Sequence, residues 1–117
     1  MIQIQFIHGI IEKTIPEILL TRSHTGKTGT ATFRFYQPDI FKFEWQQNFE
    51  ISGMYILDKD LKIKTRYLKI YFKEGKPDTL EAIYISRDLN EWNQLIKLLN
   101  RFSEQNNLTF IKAYTSK

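Results

Sequence analysis

In this 117-residue chain, the residues whose types could support chemistry are two histidines, a Gly-Lys-Thr triplet, scattered carboxylates and a run of alternating cations. Thr25-Gly26-Lys27-Thr28 has the residue types that close a phosphate-binding loop. Such a loop needs a second glycine five residues before Gly26, and a helix whose N-terminus receives the phosphate. Position 21 is Thr21 and the residues that follow alternate as a strand, so the segment reads as a basic hairpin turn. His8 and His24 have no histidine or carboxylate at helical ligand spacing, so both are expected at the surface with no metal. The absence of cysteine removes disulfides, thiolate metal sites and thiol nucleophiles. Ser52-Gly53 is not followed by a helical pattern, so no nucleophile elbow is formed. The carboxylates fall mainly at turns and on the polar face of one helix. Neither catalysis nor a cofactor is expected.

Binding chemistry is better represented. Lys62, Lys64 and Arg66 put three cations on one side of a strand, with Lys69 nearby and Tyr67 and Tyr71 interleaved. Basic and aromatic residues mixed in this way occur on single-strand nucleic-acid binders. The paired aromatic pattern of sheet-type RNA modules is absent. An acidic protein face, an anionic lipid surface or a plainly solvated strand face fits the stripe as well. The net charge of +4 and pI near 9.3 favour an anionic partner without choosing one. A second candidate is the row Thr30, Thr32, Arg34 and Tyr36, a run of β-formers that ends at Pro38. It suits strand addition by a foreign peptide, with Arg34 pairing an acidic group. The same pattern describes the outer face of an interior strand.

The elements that must position these residues read mostly in period two. Ile2, Ile4 and Phe6 alternate with Gln3 and Gln5. Ile18 to Arg22 follows Pro16-Glu17 as a second extended piece. Ala31, Phe33 and Phe35 point away from the Thr30–Tyr36 row. Asp39 to Phe49 is aromatic and irregular, a short helix or a packed loop. Ile51 to Leu57 reads as an interior strand and Asp58-Lys59-Asp60 as a turn. Leu61 to Phe72 reads as one long strand, turned back at Glu74-Gly75-Lys76-Pro77 onto Leu80 to Ile85, so that the three form a meander. The long strand changes phase: apolar residues sit at odd positions in Leu61 and Ile63 and at even positions in Leu68, Ile70 and Phe72. A bulge or strong twist is expected at Thr65 to Tyr67. One helix, about Asp88 to Asn106, is signalled by Asp88 and Glu91 as a capping pair and by Leu89, Trp92, Leu95, Ile96, Leu99 and Phe102 at helical spacing. Leu108, Phe110 and Ala113 add a last extended piece. The expected fold is a single α+β domain over residues 1–117, an antiparallel sheet of about five strands with one long helix on one face. A lone helix leaves part of such a sheet open to a partner. No apolar run approaches the roughly 18–20 residues that span a bilayer, and the first residues lack the features of a secretory or transit signal.

Several stretches, taken in order, resemble a known family. They are Pro16-Glu17 with Arg22-Ser23, Gly29-Thr30-Ala31-Thr32-Phe33-Arg34-Phe35 with Pro38, and Ile51-Ser52-Gly53-Met54-Tyr55-Ile56-Leu57-Asp58. Thr65-Arg66, Phe72-Lys73-Glu74-Gly75-Lys76-Pro77, Glu81-Ala82, Glu91-Trp92 and the region from Arg101 to Leu108 follow. On these residues the chain resembles the photosystem II Psb28 family, also called the reaction-centre W or thirteen-kilodalton protein. It departs at Asp58-Lys59-Asp60, which lacks an expected glycine, and nothing firm matches from Phe41 to Phe49 or in the last six residues. The resemblance implies a non-catalytic assembly factor without pigment or metal. It implies peripheral attachment on the stromal or cytoplasmic side of the thylakoid membrane, in a plastid or cyanobacterium. The implied partners are photosystem II core subunits, above all the inner-antenna chlorophyll protein, whose extended tail is lent to the sheet. Under that reading Thr32, Arg34, Tyr36 and Tyr55 bind the partner, with Arg34, Tyr36 and Tyr55 selecting side chains of the tail, and Lys62, Lys64, Arg66 and Lys69 face acidic loops or anionic lipid. The free protein is expected to be a monomer, with no nucleic acid as partner. A basic single-strand nucleic-acid-binding module is the alternative.

Overall fold

A computed structural model of the chain describes residues 1–42, 51–107 and 111–112. In order, the strands are β1 (Gln3–Ile7), β2 (Ile10–Glu12), β3 (Glu17–Arg22), β4 (Gly29–Tyr36), β5 (Met54–Leu57), β6 (Lys62–Thr65), β7 (Tyr67–Lys73) and β8 (Lys76–Ser86). Helix α1 (Leu89–Asn106) and a last short strand β9 (Ile111–Lys112) follow. Two-residue loops close two of the hairpins. Glu74 and Gly75 take positive φ values of 52° and 79°, the combination that turns β7 back on β8 in keeping with strand twist. His8-Gly9 does the same for β1 and β2, with Gly9 at φ 89° and its N–H donated to the Gln5 side chain.

The strands form two sheets, not the one sheet of about five strands that periodicity suggests. A four-stranded sheet has the order β2-β1-β5-β6 and a five-stranded sheet the order β7-β8-β4-β3-β9. All pairs are antiparallel except β3 with β9. The discrepancy has one cause. The stretch from Leu61 to Phe72 does not continue through its phase change as a single bulged strand. It breaks at Arg66, so that β6 pairs with β5 in one sheet and β7 pairs with β8 in the other. The expected meander is therefore split across the corner. Thr65 pins the corner by donating its hydroxyl to the Ile83 carbonyl at 2.6 Å.

The apolar faces of both sheets and of α1 meet in one core. Ile4 and Phe6, then Leu20, then Ala31, Phe33 and Phe35, then Met54 and Ile56, then Leu80 and Ala82 are all buried there. Phe6 of one sheet meets Phe35 of the other edge to face, with ring centroids 5.0 Å apart. The helix contributes Trp92, Leu95, Leu98, Leu99 and Phe102. Its start is capped by Asp88, which accepts the Glu91 N–H at 2.8 Å, while the Glu91 carboxylate takes the Arg87 N–H at 2.8 Å. Asn107, in the left-handed conformation, ends it. Trp92 seats against Gly29, where a Cβ would lie 2.4 Å from the indole, and the Arg22 guanidinium covers the ring. At the other end Arg101 bonds Asp58 at 2.6 Å and Asp60 at 2.8 Å, tying α1 to the turn of the four-stranded sheet.

Of the irregular stretch from Asp39, the part up to Lys42 is a helical turn. Buried Glu12 holds it by accepting the N–H groups of Asp39 and Ile40. Phe43, Trp45 and Phe49 lie outside the described residues, as do Leu108, Phe110 and Ala113; the last extended piece is represented by β9.

Candidate docking surface

Register places the candidate residues on two different surfaces. In β4, Ala31, Phe33 and Phe35 are buried, which sends Thr30, Thr32, Arg34 and Tyr36 to the opposite face, as alternation requires. The cross-strand neighbours of that row follow from pairing: Glu17, Leu19 and Thr21 from β3, and Thr79, Glu81, Ile83 and Ile85 from β8. Beyond β8 lie Tyr67, Lys69 and Tyr71 of β7. The helix and the second sheet both pack on the other side. Among the described residues, no element covers this outer face, and Leu19, Tyr36, Tyr67, Tyr71 and Ile85 are 42–62% exposed on it. Scattered exposed apolar residues are ordinary; five on one sheet face make it a candidate interaction surface.

A polar network sits at its centre. Glu81 is only 6% exposed although it points outward. Arg34 donates to its Oε2 through Nε at 3.0 Å and Nη2 at 2.6 Å, and the Tyr71 hydroxyl donates to Oε1 at 3.3 Å. Donation to Glu81, with the Tyr36 hydroxyl oxygen as the second contributor, holds the Arg34 guanidinium above its ordinary pKa. Tyr36 in turn donates to Glu17 at 2.8 Å. The Lys69 ammonium lies 5.8 Å from the centre of the Tyr71 ring. Arg34 and Glu81 thus satisfy one another, and the Tyr36 and Tyr71 rings are set in place around them. Arg34 is engaged by Glu81 and does not stand as a separate anchor for an acidic group.

The strand-addition reading of the Thr30–Tyr36 row is corrected by the pairing. β4 is bonded to β3 on one side and β8 on the other along its length, so it offers no open backbone edge. Thr32, Arg34 and Tyr36 instead read as the floor of a face. Tyr55 is not with them: it sits in β5, opposite Lys64, on the outer side of the four-stranded sheet, stacked near His8 with centroids 4.5 Å apart. The cationic stripe is also divided. Lys62 and Lys64 project from β6 beside Tyr55, Arg66 stands at the corner, and Lys69 belongs to the face with Arg34. The corner leaves Tyr71 on the face with Arg34, away from Lys62 and Lys64, so the interleaved row read from the sequence is divided between two surfaces. His8 and His24 are exposed, and the Thr25–Thr28 segment is the β3–β4 hairpin loop, followed by a strand.

Sequence reasoning missed Glu17, Leu19, Glu81 and Ile85 as members of the face. Their signal was present only in register: once Gly29 is aligned with Ser86 and Arg22, each falls opposite a residue of the Thr30–Tyr36 row. It also missed the cleft where the corner opens. Lys62, Lys64, Arg66, Tyr67, Tyr84, Ile85, Arg87 and Glu91 are among the residues lining it. Burial, with the nearby Glu91 charge adding to it, pushes the Tyr84 phenol up. No helix among the described residues is long and apolar enough to cross a membrane.

Comparison with known proteins agrees with the ordered motifs. The profile of the Psb28 protein family matches residues 4–110. A photosystem II reaction center Psb28 protein of Trieres chinensis is 42% identical over 111 residues, covering 95% of this chain and 96% of the relative. That of Cyanidium caldarium is 44% identical, covering 97% of this chain and the whole of the relative. The Gloeothece citriformis protein of the same name is likewise 44% identical, with 97% and 100% covered. The chain belongs to the Psb28 family.

Proposed function

From that membership we propose that the chain is a non-catalytic assembly factor that docks peripherally on photosystem II intermediates, at the stromal or cytoplasmic side of the thylakoid membrane. The observation that carries this reading is the uncovered outer face of the five-stranded sheet, with exposed aromatic and apolar side chains fixed around the Arg34–Glu81–Tyr71 network. Such a face suits a large protein partner. Aromatic anchors supply the affinity, and the surrounding polar groups set orientation. The core subunits, in particular the inner-antenna chlorophyll protein with an extended tail, are the proposed partners. The net charge of +4 speeds encounter with an acidic surface without fixing the affinity.

The test is co-isolation from thylakoid membranes. Leu19 and Thr32 are directly opposed across β3 and β4. The double change Leu19→Glu/Thr32→Lys replaces apolar surface with an opposite-charge pair that the sheet tolerates. The tagged wild-type chain is expected to retain photosystem II subunits and the double variant to lose at least tenfold of them, with unchanged thermal unfolding. Equal retention by both removes this face from docking.

A further inference from the structure

A second cavity lies at the end of β7 away from the corner, between two turns that the fold itself fixes. One wall is the helical turn from Pro38 to Lys42, held by Glu12 through the N–H groups of Asp39 and Ile40. The other is the β7–β8 hairpin turn, set by the positive φ values of Glu74 and Gly75. The Gln37 N–H donates to the Asp78 carbonyl at 2.7 Å and ties the two walls together. The space between them is about 520 Å³, which is the size of a small-molecule site.

The lining separates apolar surface from charge. Pro38 and Phe41 are buried and Pro77 is half-buried, and all three line the cavity. Its charged lining residues are Lys42 and Lys76, one from each wall, and both are exposed. Among the described residues neither lysine is in an ion pair, and no carboxylate lines the cavity. The carboxylates nearby are engaged or turned out. Asp78 accepts from the Gln37 and Thr79 side chains, Asp39 accepts from the Lys13 N–H, and Glu74 is exposed at the hairpin tip. The walls also offer little backbone to a peptide. Positions 38 and 77 are prolines, which have no N–H, and the N–H groups of Gln37, Phe41 and Lys42 are already bonded within the walls.

We propose that this cavity binds one amphiphilic anion, an acyl chain that carries a carboxylate or phosphate head. The chain lies on Pro38, Phe41 and Pro77, and the head sits at the mouth between the Lys42 and Lys76 ammonium groups. Lysine suits this position because its apolar stem extends the lining while its charge stays in water. A ligand whose charge is at one end and whose body needs no hydrogen bonds matches walls that have cations at the rim and little free backbone. The site is independent of the docking reading, and it shares no lining residue with the corner cleft. Two sources supply this chemistry, a free fatty acid and an anionic membrane lipid.

The test titrates the full chain with decanoate and follows amide shifts. Shifts are expected at Gln37, Phe41, Lys42 and Lys76 and not at Lys62–Thr65, although the corner holds more cations. Along the series octanoate, decanoate, dodecanoate, affinity is expected to rise by up to about fourfold per methylene, the equivalent of about 0.8 kcal/mol for each buried CH₂. The Lys42→Gln/Lys76→Gln chain is expected to bind decanoate about tenfold more weakly, the worth of two exposed charge contacts, and to bind decanol unchanged. Both lysines are exposed, so that variant keeps its fold, checked by its melting curve. Phosphatidylglycerol vesicles that reproduce the shifts sustain the proposal with a membrane lipid as the source. Vesicles that leave these amides unmoved while decanoate binds sustain it with a free fatty acid. Affinity that does not change with chain length overturns the acyl site, and equal decanoate binding by the double variant overturns selection of an anion. Shifts confined to Lys62–Thr65, or no binding of decanoate at all, overturn the proposal as a whole.

Discussion

Glu81 is the residue on which the open face depends. This outward-pointing carboxylate is only 6% exposed, and Arg34 and Tyr71 supply its side-chain hydrogen bonds. Truncating Arg34 to Ala leaves that carboxylate buried and unpaired, at an expected cost of about 1–3 kcal/mol; the half-exposed arginine side chain keeps the value below that of a fully buried pair. Tyr71→Phe, which removes one long hydrogen bond, costs at most about 0.5–1.5 kcal/mol. Urea unfolding of the two variants checks the order, and a larger loss from Tyr71→Phe contradicts it. A second residue-scale prediction concerns acid. The Lys59 backbone N–H and then Arg101 hold Asp58 below the ordinary carboxylate value, and Arg101 does the same for Asp60. Carboxylates whose folded pKa is depressed contribute stability that is full above the unfolded value, near pH 4, and lost as pH falls through the folded value. Melting temperature is therefore expected to be flat near neutrality and to fall below about pH 4. Arg101→Ala lowers the neutral plateau and flattens the acid limb; an unchanged acid limb in that variant assigns the loss to other groups.

At the scale of elements, the sequence marked most of what positions the face, and the reasons for the rest are local. The β4 alternation is unambiguous because Ala31, Phe33 and Phe35 are fully buried and their neighbours are not. The helix is legible because cap, apolar spacing and Asn107 terminator agree. The phase change at Thr65 to Tyr67 was legible as a discontinuity. Its outcome was not, because a bulge and a switch between sheets leave the same one-residue slip in a pattern of period two. β2 escaped notice because it is three residues long and half-buried, although His8-Gly9 carries a hairpin turn signal. Close approach is also invisible in a sequence. Gly29 belongs to a strand where β-branched residues are favoured, and the close approach of the Trp92 indole and the Thr21 carbonyl explains the glycine. Gly29→Ala is expected to displace the indole and cost about 1–3 kcal/mol, reported by a blue- or red-shifted Trp92 emission together with a lower melting temperature. Gly75→Ala, in the β7–β8 turn at φ 79°, is expected to cost about 1–2 kcal/mol without any change in tryptophan emission. Equal tryptophan shifts in both variants contradict these assignments.

For the whole molecule, the two sheets and the helix divide the labour. The four-stranded sheet and α1 cover one side of the five-stranded sheet and bury the core. Among the described residues the other side is left uncovered, and the corner at Arg66 opens a cationic cleft beside it. The candidate residues chosen from the sequence fall on both surfaces, which is why no single binding site contains them all: Thr32, Arg34, Tyr36 and Lys69 share the face, and Lys62 and Lys64 line the cleft. A photo-reactive residue in place of Thr32 on the face, compared with one in place of exposed Asn100 on α1, tests the central claim most directly. In thylakoid membranes under illumination, the Thr32 position is expected to cross-link to photosystem II subunits and the Asn100 position is not. Cross-links to those subunits from Asn100, with none from Thr32, would contradict docking through the open sheet.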